Sequence, residues 1–357
     1  MSFVSIILLN YNWKKFNKDC IDSILLQSYK NFKIIFVDNA STDGSLEEVE
    51  KLYENEIEEK KIIIVKNKEN SWFTWGNNLW VKYASNESEY ICLLNNDTTV
   101  PENWLEELVK GIESDRDLWA VGSLVLDMWY EEKIKNMFFD QRKTYTRTIL
   151  WETAIKNVSM KDYVSWIYYT TSLSWCSLLY KKNIIKTPFP ERYFAYWEDI
   201  FFCLTLISKW YKLAFCTKSI VNHYWSWSFG KKPSDFKLFY GNRNQIINYF
   251  LFYKVSTIIK LFPLFFITQI SQIFINVPLK RIKAKIKSRF WIFKNIWKVT
   301  ELRGEIQENK IISDNLFIQQ LSYKFSDDIH YINFSASRKR IISFVNKIFE
   351  LYIKVVY

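Results

Sequence analysis

Three short apolar runs in the first hundred residues each stop at a cluster of amides and carboxylates, and this repetition limits the folds open to the chain. Val4–Leu9 ends in Asn10-Tyr11-Asn12, Phe32–Val37 in Asp38-Asn39, and Tyr90–Leu94 in Asn95-Asn96-Asp97. Unbroken apolar runs of this length read as strands buried on both faces of a parallel sheet. Polar clusters where such strands end line the crevice beyond the carboxyl edge, where ligands bind in open α/β sheets. Asp and Asn are also ordinary turn formers, so one such ending carries little. Three of them point to a site.

Helical patterning fills the gaps. Lys15–Gln27 places Phe16, Cys20, Ile24 and Gln27 on one face, and Ser45–Tyr53 follows a loop rich in capping residues. Trp75–Ala84 and Pro101–Ile112 predict two more helices, the second with its proline near the first turn. Lys61–Val65 and Ala120–Asp127 predict further strands. Strand-helix alternation is the βαβ signature. No G-x-G-x-x-G follows any strand, which argues against a dinucleotide fold.

Beyond residue 128 the periodicity fades. Met137–Leu150 predicts a loop or hairpin over the site, and Trp166–Tyr180 contains two strand-like stretches. Glu198 and Asp199 open a predicted helix to about Lys209, where acids also suit the helix dipole without any catalytic role. Tyr211–Phe215 predicts a strand, and His223 follows in a polar loop.

The formal charge of +11 concentrates in the second half. A basic surface meets nucleic acid, anionic lipid or phosphorylated substrates. With no zinc-finger spacing and no RNP-like run, no nucleic acid partner is expected. Leu261–Leu279 carries no charge over 19 residues but contains Pro263, Gln269, Gln272, Asn276 and Pro278, and Lys280–Arg289 is strongly basic. That pairing predicts an in-plane, peripheral element on an anionic membrane surface rather than a span. The alternative is an ordinary solvated, charged helix face. Five cysteines without CxxC spacing read as reduced and cytosolic, and no signal peptide is expected. The expected organisation is a catalytic domain over 1–235, a helical, basic and aromatic membrane-proximal region over 236–295, and a tail over 296–357.

The tryptophan content is anomalous. The chain has 16 Trp and 7 Gly, where ordinary usage of about 7% would give roughly 25 glycines. Several tryptophans stand in glycine contexts: Trp13 after Asn-Tyr-Asn, Trp210 between a helix and a strand, Trp225 and Trp227 among serines. Helix ends and tight turns favour positive φ, which Gly adopts cheaply. The expectation is that many of these residues are glycines encoded by UGA, with Trp104 a genuine tryptophan; the alternative is a genuinely tryptophan-rich protein.

The first 230 residues resemble glycosyltransferase family 2, and within it the rhamnosyltransferase-like members. The resemblance rests on Val4–Asn12, Val37–Ser45, Asn70–Trp80, Leu94–Thr98 and Phe194–Asp199 followed by His223, in that order. In the third piece Trp72, Trp75 and Trp80 fall on the family's glycines. The resemblance implies a GT-A fold, a three-layer α/β/α domain with a mostly parallel central sheet, and a nucleotide-sugar donor. It implies that Asp38 binds the base, with Asn10, Asn12, Asn77, Asn95 and Asn96 lining the cofactor-binding loops. Asp97 and His223 would be the metal positions for Mg²⁺ or Mn²⁺, and Asp199, beside Glu198, the general base. The family often has a second Asp where this chain has Phe201. The implied activity is inverting hexosyl transfer from dTDP-rhamnose or a UDP-sugar to a cell-surface glycan or lipid-linked acceptor, at the cytoplasmic face of the membrane. Lys66 is a further candidate for the phosphates. The chemistry is consistent: an oxygen-ligated cation neutralises a leaving diphosphate, and a carboxylate activates the acceptor hydroxyl. Two alternatives remain, a nucleotidyltransferase and a non-catalytic glycan-binding protein that keeps the fold.

Overall fold

The computed structural model describes residues 1–70, 83–127, 143–147, 153–157, 166–184, 196–224, 235–276, 279–321 and 336–356. The predicted helix at Trp75–Ala84 lies almost wholly outside them, as do Asn77, Trp72, Trp80, Trp225 and Trp227. The chain divides into two units. The first comprises residues 1–142, 158–202 and 211–227, and the second 143–157, 203–210 and 228–357.

The first unit is a mixed α/β layer built in chain order. It begins with β1 (Val4–Asn10), α1 (Lys14–Leu25), β2 (Phe32–Asp38), α2 (Ser45–Leu52), α3 (Glu54–Glu58) and β3 (Ile62–Lys66). It continues with β4 (Tyr90–Asn95), β5 (Thr98–Thr99), α4 (Trp104–Glu113) and β6 (Leu118–Asp127). Strands β7 (Lys143–Arg147) and β8 (Thr153–Asn157) pair as a separate antiparallel hairpin in the second unit. Strands β9 (Ile167–Thr170) and β10 (Ser177–Lys181), helix α5 (Glu198–Ser208) and strand β11 (Lys212–His223) complete the series.

The strand order is β3-β2-β1-β4-β10-β6-β11-β5, with β9 also on β11. From β3 to β4 every pairing is parallel. Beyond β4 the sheet is mixed: β10 lies antiparallel between β4 and β6, β11 returns parallel to β6, and β5 and β9 run antiparallel to β11. The sheet is therefore largely parallel by strand direction, with its all-parallel half at the N-terminal end.

Apolar burial explains why these segments form strands. Val4, Ile6, Ile7 and Leu8 are buried, as are all of Ile34–Val37, so both faces of the central strands are covered. Each such side chain contributes about 1.5–3 kcal/mol relative to exposure. Helix α1 buries Phe16, Cys20, Ile21 and Ile24, the face its spacing predicts. Trp104 is fully buried at the start of α4, and its indole N–H lies 3.0 Å from both Ser123 Oγ and Ser177 Oγ. Pro101 sits just before this helix, near its first turn, and its carbonyl accepts from the Trp104 N–H. All five cysteines are free and buried.

Two other tryptophans contrast with Trp104. Trp197 has φ +70° just before α5, and Trp210 has φ +66° just after it. The Trp210 N–H donates to the Ile207 carbonyl, which closes the helix with a left-handed residue. Trp13 does not follow this pattern. Its φ is −118°, and its ring packs 5.3 Å from Phe16.

The second unit is mainly helical: α6 (Asp235–Phe252), α7 (Val255–Asn276), α8 (Leu279–Lys294), α9 (Ile296–Glu308), α10 (Asp314–Gln319) and α11 (Ala336–Val356). Tyr249 of α6 stacks on Phe265 of α7 at 4.9 Å, and Phe252 lies 6.0 Å from Phe317 of α10. Lys310 and Asp314 form a buried ion pair whose carboxylate also caps the Lys254 N–H at 2.7 Å. The uncharged run from Leu261 falls largely within α7, which carries Pro263 internally. Among the described residues no helix is long and apolar enough to cross a membrane.

Candidate active site

The ends of β1, β2 and β4 are tied together by amides. Asn10 is fully buried, and its amide nitrogen lies 2.8 Å from Asp38 Oδ1, 2.9 Å from Ser41 Oγ and 2.7 Å from Ser45 Oγ. Its carbonyl oxygen accepts from Asn17 at 2.9 Å and from Asn96 at 3.3 Å. Asn96 donates in addition to Asn17 Oδ1 at 2.8 Å. The parallel register sets Asn10 opposite Asp38 and Leu9 opposite Asn95. One side chain therefore joins three strand ends. Buried amides satisfied in this way fix geometry, because an unpaired member would cost about 1–3 kcal/mol.

Asp38 is nearly buried. Its Oδ1 accepts from Asn10, and its Oδ2 accepts from the Ser41 N–H at 3.0 Å. Asn12 is exposed at φ +58°, and its side-chain oxygen caps the Thr42 N–H at 2.8 Å. Asn39 is buried and bonded to Asn67 and Asn70. Lys66 does not stand alone, because its ammonium pairs with Glu50 at 2.6 Å on the surface.

On the other side of β4, Asp97 meets His223. The Nε2 of His223 lies 3.1 Å from Asp97 Oδ1, with both side chains about a tenth exposed (10% and 11%). Asn95 Nδ2 lies 3.5 Å from the same nitrogen. Strand β11 delivers the histidine. Its register against β6 shifts between Cys216 and Ile220, and its last residues then pair with β5, His223 opposite Thr98. The Tyr224 N–H donates to the Asp97 carbonyl at 2.9 Å. His223 thus belongs to a strand, where the sequence predicts a loop. The short apolar stretch Tyr211–Phe215 hides this because Thr217-Lys218-Ser219 interrupts it.

Glu198 and Asp199 occupy the first turn of α5, as predicted. Phe202 of this helix packs on Trp175 at 5.1 Å and on Tyr180 at 5.3 Å, and the neighbouring Cys176 carbonyl accepts from the Asn95 N–H. This ties α5 to the strand beside β4. Asp199 Oδ1 accepts the Ile200 N–H at 2.8 Å. Glu198 is buried, and its Oε2 makes no hydrogen bond among the described residues. Burial, with the adjacent Asp199 charge adding to it, pushes the Glu198 carboxyl up to about 8. Phe201, one turn along, is buried.

Among the described residues no group of three or more His, Cys, Asp or Glu side chains could hold a metal. Asp97 and His223 supply two donors. Sequence reading missed Asn17, which is buried in the face of α1 and bonds both Asn10 and Asn96. Its signal was available: it is an amide beside the apolar stripe of Phe16, Cys20 and Ile24.

Residues 5–163 match the profile described as glycosyl transferase family 2. An uncharacterized glycosyltransferase of Haemophilus influenzae is 32% identical over 123 residues, 34% of this chain and 36% of that protein. Glycosyltransferase GlyG of Streptococcus pneumoniae is 28% identical over 137 residues, 38% of this chain and 42% of that protein. The matches thus span less than half the length of these relatives. Among solved structures, GalNAc-T7 with UDP, GalNAc and Mn²⁺ superposes with a TM-score of 0.65 at 12% identity, covering 90% of this chain and 57% of that one. TarS 1–349 of S. aureus gives 0.54 at 16% identity, covering 99% and 92%. These likenesses carry the fold, and none points to rhamnosyltransferases in particular. Residues 5–163, somewhat under half of the chain, thus resemble glycosyl transferase family 2, and the solved structures share the fold of the first unit's mixed sheet.

Proposed function

We propose that the chain transfers a hexosyl group from a nucleoside-diphosphate sugar to an acceptor hydroxyl with inversion at the anomeric carbon. The observation that supports this most is the Asp97–His223 pair at the strand ends, in the same unit as Asp38 and the Glu198-Asp199 turn. Each Asp38 oxygen accepts one internal hydrogen bond, which leaves lone pairs for a ring N–H of the donor base. Asn12, exposed in the first loop, and Asn95 and Asn77 are assigned to the donor. Asn10 and Asn96 are assigned to holding Asp38 and Asp97 in place, since their amides are already engaged within the protein.

Asp199 takes the acceptor proton as the hydroxyl oxygen attacks the anomeric carbon. The bond from that carbon to the diphosphate oxygen breaks, and the nucleoside diphosphate leaves with the electron pair. A single displacement inverts the centre and needs no covalent sugar intermediate. Glu198 keeps its proton near neutrality, so the two adjacent carboxyls divide into an uncharged group and a base. The donor set at Asp97 and His223 fits Mg²⁺ or Mn²⁺, which is commonly held by one or two protein groups with substrate phosphates completing the shell. Such an ion would neutralise the charge growing on the leaving diphosphate. The donor sugar, dTDP-rhamnose or a UDP-sugar, and a cell-surface glycan or lipid-linked acceptor at the cytoplasmic face of a membrane belong to the same reading.

The test is release of nucleoside diphosphate across a panel of nucleotide sugars with Mg²⁺ or Mn²⁺. One donor should turn over, and Asp97→Ala and Asp199→Asn should each lose at least a hundredfold in kcat. A folded protein that binds glycan but turns over no donor would replace this reading with a binding module.

A further inference from the structure

Helix α8 carries seven Lys and Arg residues between Leu279 and Lys294 and no acid. Its exposed side is nevertheless apolar at the centre: Ile286, Phe290 and Phe293 are 61%, 57% and 77% exposed. They recur at i, i+4 and i+7, one face of a helix. Trp297, one turn on in α9, is 60% exposed. Lys283, Lys287 and Lys294 are exposed within the same arc, and Lys294 lies over the Phe290 ring at 5.0 Å. Helix α7 shows a face of like kind, with Val255, Ile259, Phe262, Phe266 and Ile270 exposed along one side.

We propose that the α8 face is a docking surface for an anionic lipid bilayer, with its aromatic side chains entering the headgroup boundary and its lysines meeting lipid phosphates. This deepens the membrane component of the proposed function. An apolar stripe bordered by lysines matches both layers of such an interface. A second copy of the chain fits poorly. A two-fold interface would set this patch against itself, lysine facing lysine, with no acid on α8 to compensate. Among the described residues no helix is long and apolar enough to cross a membrane, and the proposed contact is in the membrane plane.

Flotation of the full chain with vesicles tests this. Binding to phosphatidylcholine vesicles containing a third phosphatidylglycerol should exceed binding to phosphatidylcholine alone at least tenfold. The triple change Lys283→Ala, Lys287→Ala, Lys294→Ala should weaken anionic binding about a hundredfold. The pair Phe290→Ser, Phe293→Ser should abolish it while leaving circular dichroism and donor hydrolysis unchanged. Equal binding to both vesicle types, or a concentration-dependent dimer that Phe293→Ser dissolves, would overturn the proposal. Vesicle binding without turnover would leave this surface standing and remove the glycosyltransferase reading. Turnover without vesicle binding would do the reverse.

A second inference rests on backbone geometry. Trp197 and Trp210 adopt φ of +70° and +66°, a region that bulky L-residues rarely occupy. The only described glycine at positive φ is Gly44, in a chain with more than twice as many tryptophans as glycines. We propose that positions 197 and 210 are glycine in the protein as its own cell makes it, encoded by UGA. Trp104, buried with its N–H bonded to two serines, is by contrast a fitted tryptophan. Codon inspection and peptide mass spectrometry of the native protein test this. UGA at 197 and 210 with UGG at 104, and glycine masses at the first two, are expected. UGG codons or tryptophan masses at 197 and 210 would refute it.

Discussion

Position 210 allows the backbone argument to be measured as a free energy. Its residue ends α5 at φ +66°, with its N–H on the Ile207 carbonyl and its side chain 55% exposed. Replacing Trp by Gly alone would confound backbone strain with lost ring contacts, so the comparison is Trp210→Gly against Trp210→Ala. Neither variant has the ring, and they differ by one Cβ. A Cβ in the left-handed region costs about 1–2 kcal/mol, and glycine's extra unfolded-state entropy offsets about 0.5–1 kcal/mol of that. Gly should therefore exceed Ala in stability by about 0.5–1 kcal/mol. Leu351, exposed in the interior of α11, supplies the opposite case: Ala should exceed Gly by about 1 kcal/mol there. Urea unfolding with matched m-values reads both pairs. The same sign at both positions would refute the left-handed assignment and, with it, the structural ground for glycine at 210.

Three further outcomes are expected. Glu198 has a carboxyl pushed up to about 8, so its stability contribution is full below its unfolded value near 4.5 and is lost as pH rises through 8; Glu198→Gln should flatten the stability profile between about pH 5 and 8, and an unchanged slope would count against the burial argument. Trp104→Phe removes the donor shared by Ser123 and Ser177 and should cost about 1–3 kcal/mol in thermal or urea unfolding. Asp314→Ala leaves Lys310 buried without its partner and the Lys254 N–H uncapped, and should cost about 3–5 kcal/mol.

The sequence made the parallel half of the sheet readable because β1, β2 and β4 are local apolar runs with abrupt polar ends. The amides at those ends were also visible, but not their division of labour. Asn10 reads as a ligand contact in the chain and as a buried tie in the fold, because its partners Ser41, Ser45 and Asn96 come from separate segments. The antiparallel insertion of β10 between β4 and β6 was not legible either. Nothing in Ser177–Lys181 encodes which neighbours it joins, since that choice is made by packing between segments more than fifty residues apart in sequence. The extension of β11 to His223 escaped notice because a polar interruption and a register shift break the periodic signal.

The Asp97–His223 contact joins residues separated by 126 positions. Everything needed to hold Asp38 in place is synthesised by residue 96, but the histidine leaves the ribosome after most of the sheet has been made. Closing so long a loop is slow, and domains assemble as they emerge. A nascent chain stalled before β11 would therefore hold Asp38 and its amide supports in place while lacking the His223 that meets Asp97.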